Sequence, residues 1–152
     1  MLILGIAGSP RRGGNTEILL DEALSQAQKT GADTEKVALR TLQYSPCLSC
    51  GGCDQTGVCV VKDDMQEIYA KMAACDAMIF ASPIYFYNVS AWAKGVIDRA
   101  QALWTRKYIL KDPQFERQKP GFFISVGATK GERLFEGTLL TMQYFFDAAG
   151  FQ

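Results

Sequence analysis

Four of the chain's five cysteines fall within thirteen residues, in the run Cys47-Leu48-Ser49-Cys50-Gly51-Gly52-Cys53 followed by Cys59. Thiols at that density share a task, and three are open to them: a zinc site, a disulfide or an iron-sulfur cluster. The spacing C-x2-C-x2-C-x5-C sets three sulfurs on one tight loop with a fourth close by. That pattern can wrap a compact cubane and has the C-x2-C-x2-C core of the bacterial ferredoxin run. Zinc more often uses two separated C-x2-C knuckles, and this chain has neither a second knuckle nor any histidine. Disulfides are disfavoured because Met1 leads straight into an apolar run, with no basic leader region and no small-residue cleavage site. A cytoplasmic, reducing setting is therefore expected. Against the cluster stands one plain alternative: structural or redox-sensing thiols in a glycine-rich turn.

Three other segments carry ligand-binding chemistry. Gly8-Ser9-Pro10-Arg11-Arg12-Gly13-Gly14-Asn15-Thr16 combines two arginines, the hydroxyls of Ser9 and Thr16, and free backbone N–H groups at a helix start. Those groups, on the positive end of the helix dipole, make a site for a terminal phosphate. The segment is neither a Walker loop nor G-x-G-x-x-G, so a dinucleotide fingerprint is absent. Ser82 to Ser90 contains Pro83, Ile84, Tyr85, Phe86, Tyr87 and Asn88. Three successive aromatics on a loop suit the face of a planar ring, although burial at a dimer interface would also account for them. Gly127-Ala128-Thr129-Lys130-Gly131-Glu132 is built of residues that let backbone approach a ligand closely, with Gly127, Ala128 and Gly131 the smallest.

The elements that must position these segments follow from changes of period. Residues 2 to 7 form an unbroken apolar run, the signature of a strand buried on both faces. From Thr16 the period turns helical through Leu20, Ala23, Leu24 and Ala27, with Asn15 or Thr16 as cap and Gly31 at the end. A second strand is expected over Thr34 to Leu39, followed by the cysteine loop at 46–60. Asp64 and Glu67 form a candidate capping box for a helix whose Met65, Ile68 and Met72 face inward. The third strand is Ala77 to Ala81. Ser90 can cap a helix carrying Val96, Ala100, Leu103 and Trp104, the fourth strand is Phe122 to Val126, and a last helix runs from about Leu134 to Ala148, ending at Gly150. Apolar strands separated by helices require a three-layer α/β fold with a doubly wound parallel sheet. The natural order is 2-1-3-4-5, with a fifth strand expected to begin at Phe151-Gln152, where the sequence stops. Thr105 to Lys119, dense in charge, reads as a solvated connection, Cys75 as a buried small residue, and Trp92 and Trp104 as core or subunit contacts.

Length and composition fit a single domain over 1–152: 48% hydrophobic residues, with 16 basic and 16 acidic residues cancelling. That balance points away from nucleic acid and anionic membrane as partners, and no apolar stretch approaches membrane-spanning length. In such a sheet, ligands bind beyond the carboxyl ends of the strands. A phosphate loop, an aromatic loop and a permissive third loop at those ends together suggest flavin mononucleotide (FMN).

The residues at 8 to 16, the cysteine set with Val60-Val61-Lys62-Asp63-Asp64-Met65, and Ser82 to Phe86 with Ile97-Asp98-Arg99 resemble a known family. They are similar to the iron-sulfur flavoproteins of the flavodoxin-like, NADPH-dependent FMN reductase superfamily, over nearly the whole chain. The resemblance implies FMN with its phosphate at Ser9, Arg11, Asn15 and Thr16 (beside Gly14), and its ring among Pro83 to Asn88. It also implies a [4Fe-4S] cluster on Cys47, Cys50, Cys53 and Cys59, and homodimers or homotetramers that bring clusters and flavins of different subunits together. The expected activity is electron transfer through FMN, with NAD(P)H or a ferredoxin-like protein as donor and the cluster as relay. An NAD(P)H-dependent FMN or quinone reductase without a cluster, and an electron carrier without a substrate, are the alternatives. The lack of histidine and of paired carboxylates fits chemistry performed by a flavin rather than by side chains.

Overall fold

The computed structural model describes residues 1–152. Its four strands, β1 (Leu2–Ala7), β2 (Asp33–Ala38), β3 (Ala77–Ala81) and β4 (Gly121–Ile124), pair in the order β2-β1-β3-β4. All three pairings are parallel, with Ile6 opposite Val37 and Phe80, and Phe80 opposite Phe123. Beside the start of β4, Phe151 bridges Lys119 in parallel, and the Gly121 N–H donates to the Gln152 carbonyl at 2.8 Å. Phe151 and Gln152 therefore occupy the fifth position of the expected order.

Helices α1 (Asn15–Lys29), α2 (Met65–Ala74), α3 (Ala91–Arg99), α4 (Gln101–Trp104) and α5 (Glu136–Ala149) cover both faces of the sheet. The alternation of side chains along a strand divides the core between the two faces. Ile3, Ala7, Ile79 and Ala81 pack with Leu20 and Leu24 of α1. Leu4, Ile6, Met78 and Phe80 pack with Met65, Ile68 and Met72 of α2, with Ala93 and Val96 of α3, and with Met142 and Phe145 of α5. Gly5 lets α1 lie close, because a Cβ there would come within 2.6 Å of the Leu24 side chain.

Several local expectations hold and several are corrected. Ser90 caps α3, its Oγ accepting the Ala93 N–H at 3.1 Å, and α5 ends at Gly150 with φ +82°. Asn15 and Thr16 do not cap α1: both lie inside it, and Gly14 holds the cap position without a side-chain bond. Asp64 forms no capping box either. Its carboxylate accepts the Gln43 N–H, while Asp63 accepts the N–H of Met65. The segment Thr105 to Lys119 is more docked than its charge suggests. Thr105 to Ile109 continues the helix as a wider π turn, Phe115 is buried, Arg106 pairs with Asp112, and Lys107 pairs with Asp147. Cys75 is buried as expected, whereas Trp92 and Trp104 are surface rather than core residues, Trp92 edge-on to Tyr44 and Trp104 tilted against Tyr108. No helix is long and apolar enough to cross a membrane.

Candidate functional site

Parallel pairing does not stop at the strand ends, and its continuation sets the loops side by side. The Gly8 N–H donates to the Ala81 carbonyl at 2.7 Å, Ser82 N–H to Ile124 at 3.0 Å, and Ile84 N–H to Val126 at 3.2 Å. Hydroxyls add cross-links. Ser90 Oγ donates to the Gly8 carbonyl, Ser82 Oγ accepts the Ser90 N–H at 3.0 Å, and Ser125 Oγ donates to the Ser82 carbonyl at 2.8 Å. A cleft of about 210 Å³ results, lined by Ser9, Arg11, Gly14, Asn15, Thr16, Pro83, Ile84, Tyr85, Val126, Gly127 and Ala128. Three segments far apart in sequence thus meet at one place.

At the floor of this cleft lies the start of α1. With no side chain capping it, the N–H groups of its first turn that lack an intrahelical partner are left for a ligand. The volume is below the roughly 300–1,000 Å³ of an enclosed small-molecule site, so the cleft suits part of a larger ligand whose remainder stays open. Its polar floor and the Pro83-Ile84-Tyr85 wall fit a phosphate joined to a planar group.

A buried carboxylate, not evident in the sequence, holds the first loop in shape. Glu17 on α1 is 4% exposed and accepts the Gly13 N–H at 2.8 Å, with Gly13 at φ +65° in the left-handed region. Arg40 grips the same carboxylate through both terminal nitrogens, at 3.1 and 3.0 Å, and Lys36 approaches to 3.3 Å. Burial alone would push Glu17 up, but the Gly13 N–H and the two cations outweigh it and hold the carboxyl below its ordinary range. The only sequence signal for this arrangement was an acidic residue in the first turn of a helix.

The aromatic segment divides. Pro83, Ile84 and Tyr85 line the cleft, while Phe86, Tyr87 and Asn88 lie outside it. Phe86 is fully exposed at φ +50°, and Tyr87, at φ +62°, sets its hydroxyl over Gly131. Gly131 lines a different depression, with Arg133 and Phe135. Asn88 pairs with Tyr85 across the turn. The signal behind this group was compositional, and composition does not tell which side of a turn a ring takes.

The cysteines form a second site. Cys47, Cys50, Cys53 and Cys59 line one cavity of about 530 Å³ together with Val61, Asp98, Arg99, Gln101 and Ala102. Arg99, the largest side chain enclosed by the fold, ties both feet of the cysteine loop. Its guanidinium donates to the Ser45 carbonyl at 3.0 Å and to both oxygens of Asp63 at 2.8 and 3.1 Å. Asp63 also accepts the Ser45 and Met65 N–H groups, so despite burial its carboxyl lies below the ordinary range. Burial foremost, then the Asp54 carboxylate and the Cys59 and Cys47 thiols, push the Cys53 thiol up. No three Cys, Asp or Glu groups stand close enough to hold a single metal ion. Zinc needs its sulfurs about 2.3 Å from one point, whereas a cluster spreads its ligands over separate irons. Four thiols around one roomy cavity, beside a buried cation, fit the larger anionic group.

A family model described as NADPH-dependent FMN reductase matches residues 1–147. An iron-sulfur flavoprotein of Methanosarcina thermophila is 39% identical over 130 residues, 86% of this chain and 65% of that protein. Another, from Archaeoglobus fulgidus, is 37% identical over 142 residues, 92% of this chain and 70% of that protein. Among solved structures, a flavone reductase superposes with a TM-score of 0.69 at 23% identity, covering 95% of this chain and 49% of that one, a likeness of fold. This chain spans about two thirds of the length of the two flavoproteins.

Proposed function

From the premise that this chain belongs to the NADPH-dependent FMN reductase family, we propose that it is an FMN-dependent oxidoreductase with a [4Fe-4S] cluster as its second redox group. The observation that carries the reading is the meeting of three strand-end loops in one cleft over an uncapped helix start. Bound at these sites, FMN supplies hydride and single-electron exchange, and the cluster supplies a one-electron relay.

The chain's own residues do the holding. Backbone N–H groups at Asn15 and Thr16, the hydroxyls of Ser9 and Thr16, and the Arg11 guanidinium take the phosphate, whose charge the helix dipole favours. Glu17 keeps the loop in the conformation that presents those groups, and Arg40 with Lys36 neutralises its charge so that it does not repel the phosphate. Pro83, Ile84 and Tyr85 form one wall for the ring, with the backbone of Gly127 and Ala128 at its edge. Cys47, Cys50, Cys53 and Cys59 hold the cluster. A nicotinamide is the donor in keeping with the family's description, and a ferredoxin-like protein is the alternative. The exposed aromatics Phe86 and Tyr87, close to the cleft, suit cover by a second copy in a homodimer or homotetramer.

A second reading keeps the flavin without the cluster, with the cysteines structural or redox-sensing. That reading takes the four thiols as they stand, free and not joined in disulfides. Quantifying iron, sulfide and flavin in protein made without oxygen separates the two. The first reading expects one FMN and about four irons per chain, the second FMN alone, and protein that binds no FMN refutes both.

A further inference from the structure

The Arg99 side chain is 1% exposed, and its fork is only partly used. Nη1 and Nη2 face Asp63, Ser45 and, at 3.5 Å, Val61. Nε is buried with no hydrogen-bond partner, the only side-chain nitrogen or oxygen in the molecule so left. A guanidinium stays charged in proteins, so this N–H cannot be relieved by losing its proton. Buried polar hydrogens are nearly always paired, and an exception calls for an explanation, of which an acceptor from outside the polypeptide is one. The side chain that carries it borders the same cavity as Cys47, Cys50, Cys53 and Cys59. Asp63 takes the end of the fork, and Nε, behind it, has no acceptor from the chain. Burial works against the Arg99 charge, yet Asp63 foremost, then Tyr69, outweigh it.

Resting on the cluster reading above, we propose that Arg99 is the protein's hydrogen-bond donor to the cluster, its Nε–H bonding a sulfur of the thiolate-ligated core. Hydrogen bonds to the sulfurs and the charge around a cluster set its reduction potential. Reduction adds negative charge to the sulfurs, so a fixed cationic donor favours the reduced state and raises the potential. The same contact satisfies the one orphaned buried N–H.

The test uses protein grown with [15N]arginine, isolated without oxygen and reduced with dithionite. Pulsed EPR of the reduced cluster is expected to show a weak 15N coupling from one nitrogen, absent in Arg99→Lys. Arg99→Lys is also expected to shift the cluster potential to more negative values at unchanged iron and sulfide content. Full iron with no 15N coupling in the wild-type protein, or an unmoved potential in Arg99→Lys, overturns this inference and leaves the cluster standing. Iron-free protein overturns both. Where Arg99→Lys fails to fold or to keep its iron, the wild-type coupling decides.

Discussion

Asp63→Asn tests the pair that anchors the cysteine loop. The Arg99 side chain is 1% exposed and that of Asp63 14%, and the carboxylate accepts four hydrogen bonds: two from Arg99, one from Ser45 and one from Met65. Asparagine keeps the shape but removes the charge, and it turns an amide donor toward N–H groups that need an acceptor. Removing one partner of a buried pair leaves the other charge uncompensated, at about 3–5 kcal/mol. In a chain of this size each kcal/mol lowers the melting temperature by roughly 2–4 °C. Asp63→Asn should therefore melt about 6–20 °C below the wild type. Arg99→Met alone should also destabilise, because Asp63 then loses its cation. Combining the two removes both charges, so the double variant should lose about 2 kcal/mol or more less than the sum of the singles. Urea denaturation of the four proteins at pH 7 gives the cycle directly. Asp63→Asn within about 2 °C of wild type, or strictly additive singles, would refute the view that this pair holds the loop.

Other outcomes follow from the cleft at the strand ends. Because the Glu17 carboxyl is depressed in the folded protein, its contribution is fully present above the unfolded value of about 4.3 and fades as pH falls through the lower folded one. Glu17→Gln should thus be less stable at pH 7 by about 2–3 kcal/mol and lose stability less steeply below pH 5; an unchanged acid limb in melting scans would contradict this. Ser90→Ala removes the α3 cap and leaves the Gly8 carbonyl without its hydroxyl donor, together about 2–4 kcal/mol. It should also weaken FMN in a fluorescence titration, and a loss under 0.5 kcal/mol would mean that the loops are not joined there. Phe86→Gly relieves a left-handed, fully exposed residue and should stabilise flavin-free protein by about 1 kcal/mol. A lower melting temperature would show that the ring packs within the chain.

What was legible in the sequence is what neighbours a few residues apart decide. Unbroken apolar runs at 2–7 and 77–81 mark strands buried on both faces, and the alternation with helices implies the parallel order that the structure shows. Ser90 and Gly150 mark helix ends through their own chemistry, and the density of cysteines at 47–59 marks a shared site. Even short-range rules fail where tertiary structure offers a better partner. Asp64, placed to cap α2, bonds Gln43 instead, because the returning chain supplies an N–H that competes with the helix.

Tertiary structure alone decided the rest, through contacts whose partners are set by sheet register. Glu17 meets Arg40 because β2 lies parallel beside β1, and Arg99 meets Asp63 because α3 crosses the feet of the cysteine loop. Neither pair has a local signature, since each joins groups 23 and 36 residues apart whose attraction acts only after the sheet has formed. The sequence by itself determined which residues can do chemistry and at which strand ends they stand. Packing determined which of them share a cavity, why Phe86 faces solvent while Tyr85 lines the cleft, and that one buried N–H of Arg99 is left without a partner.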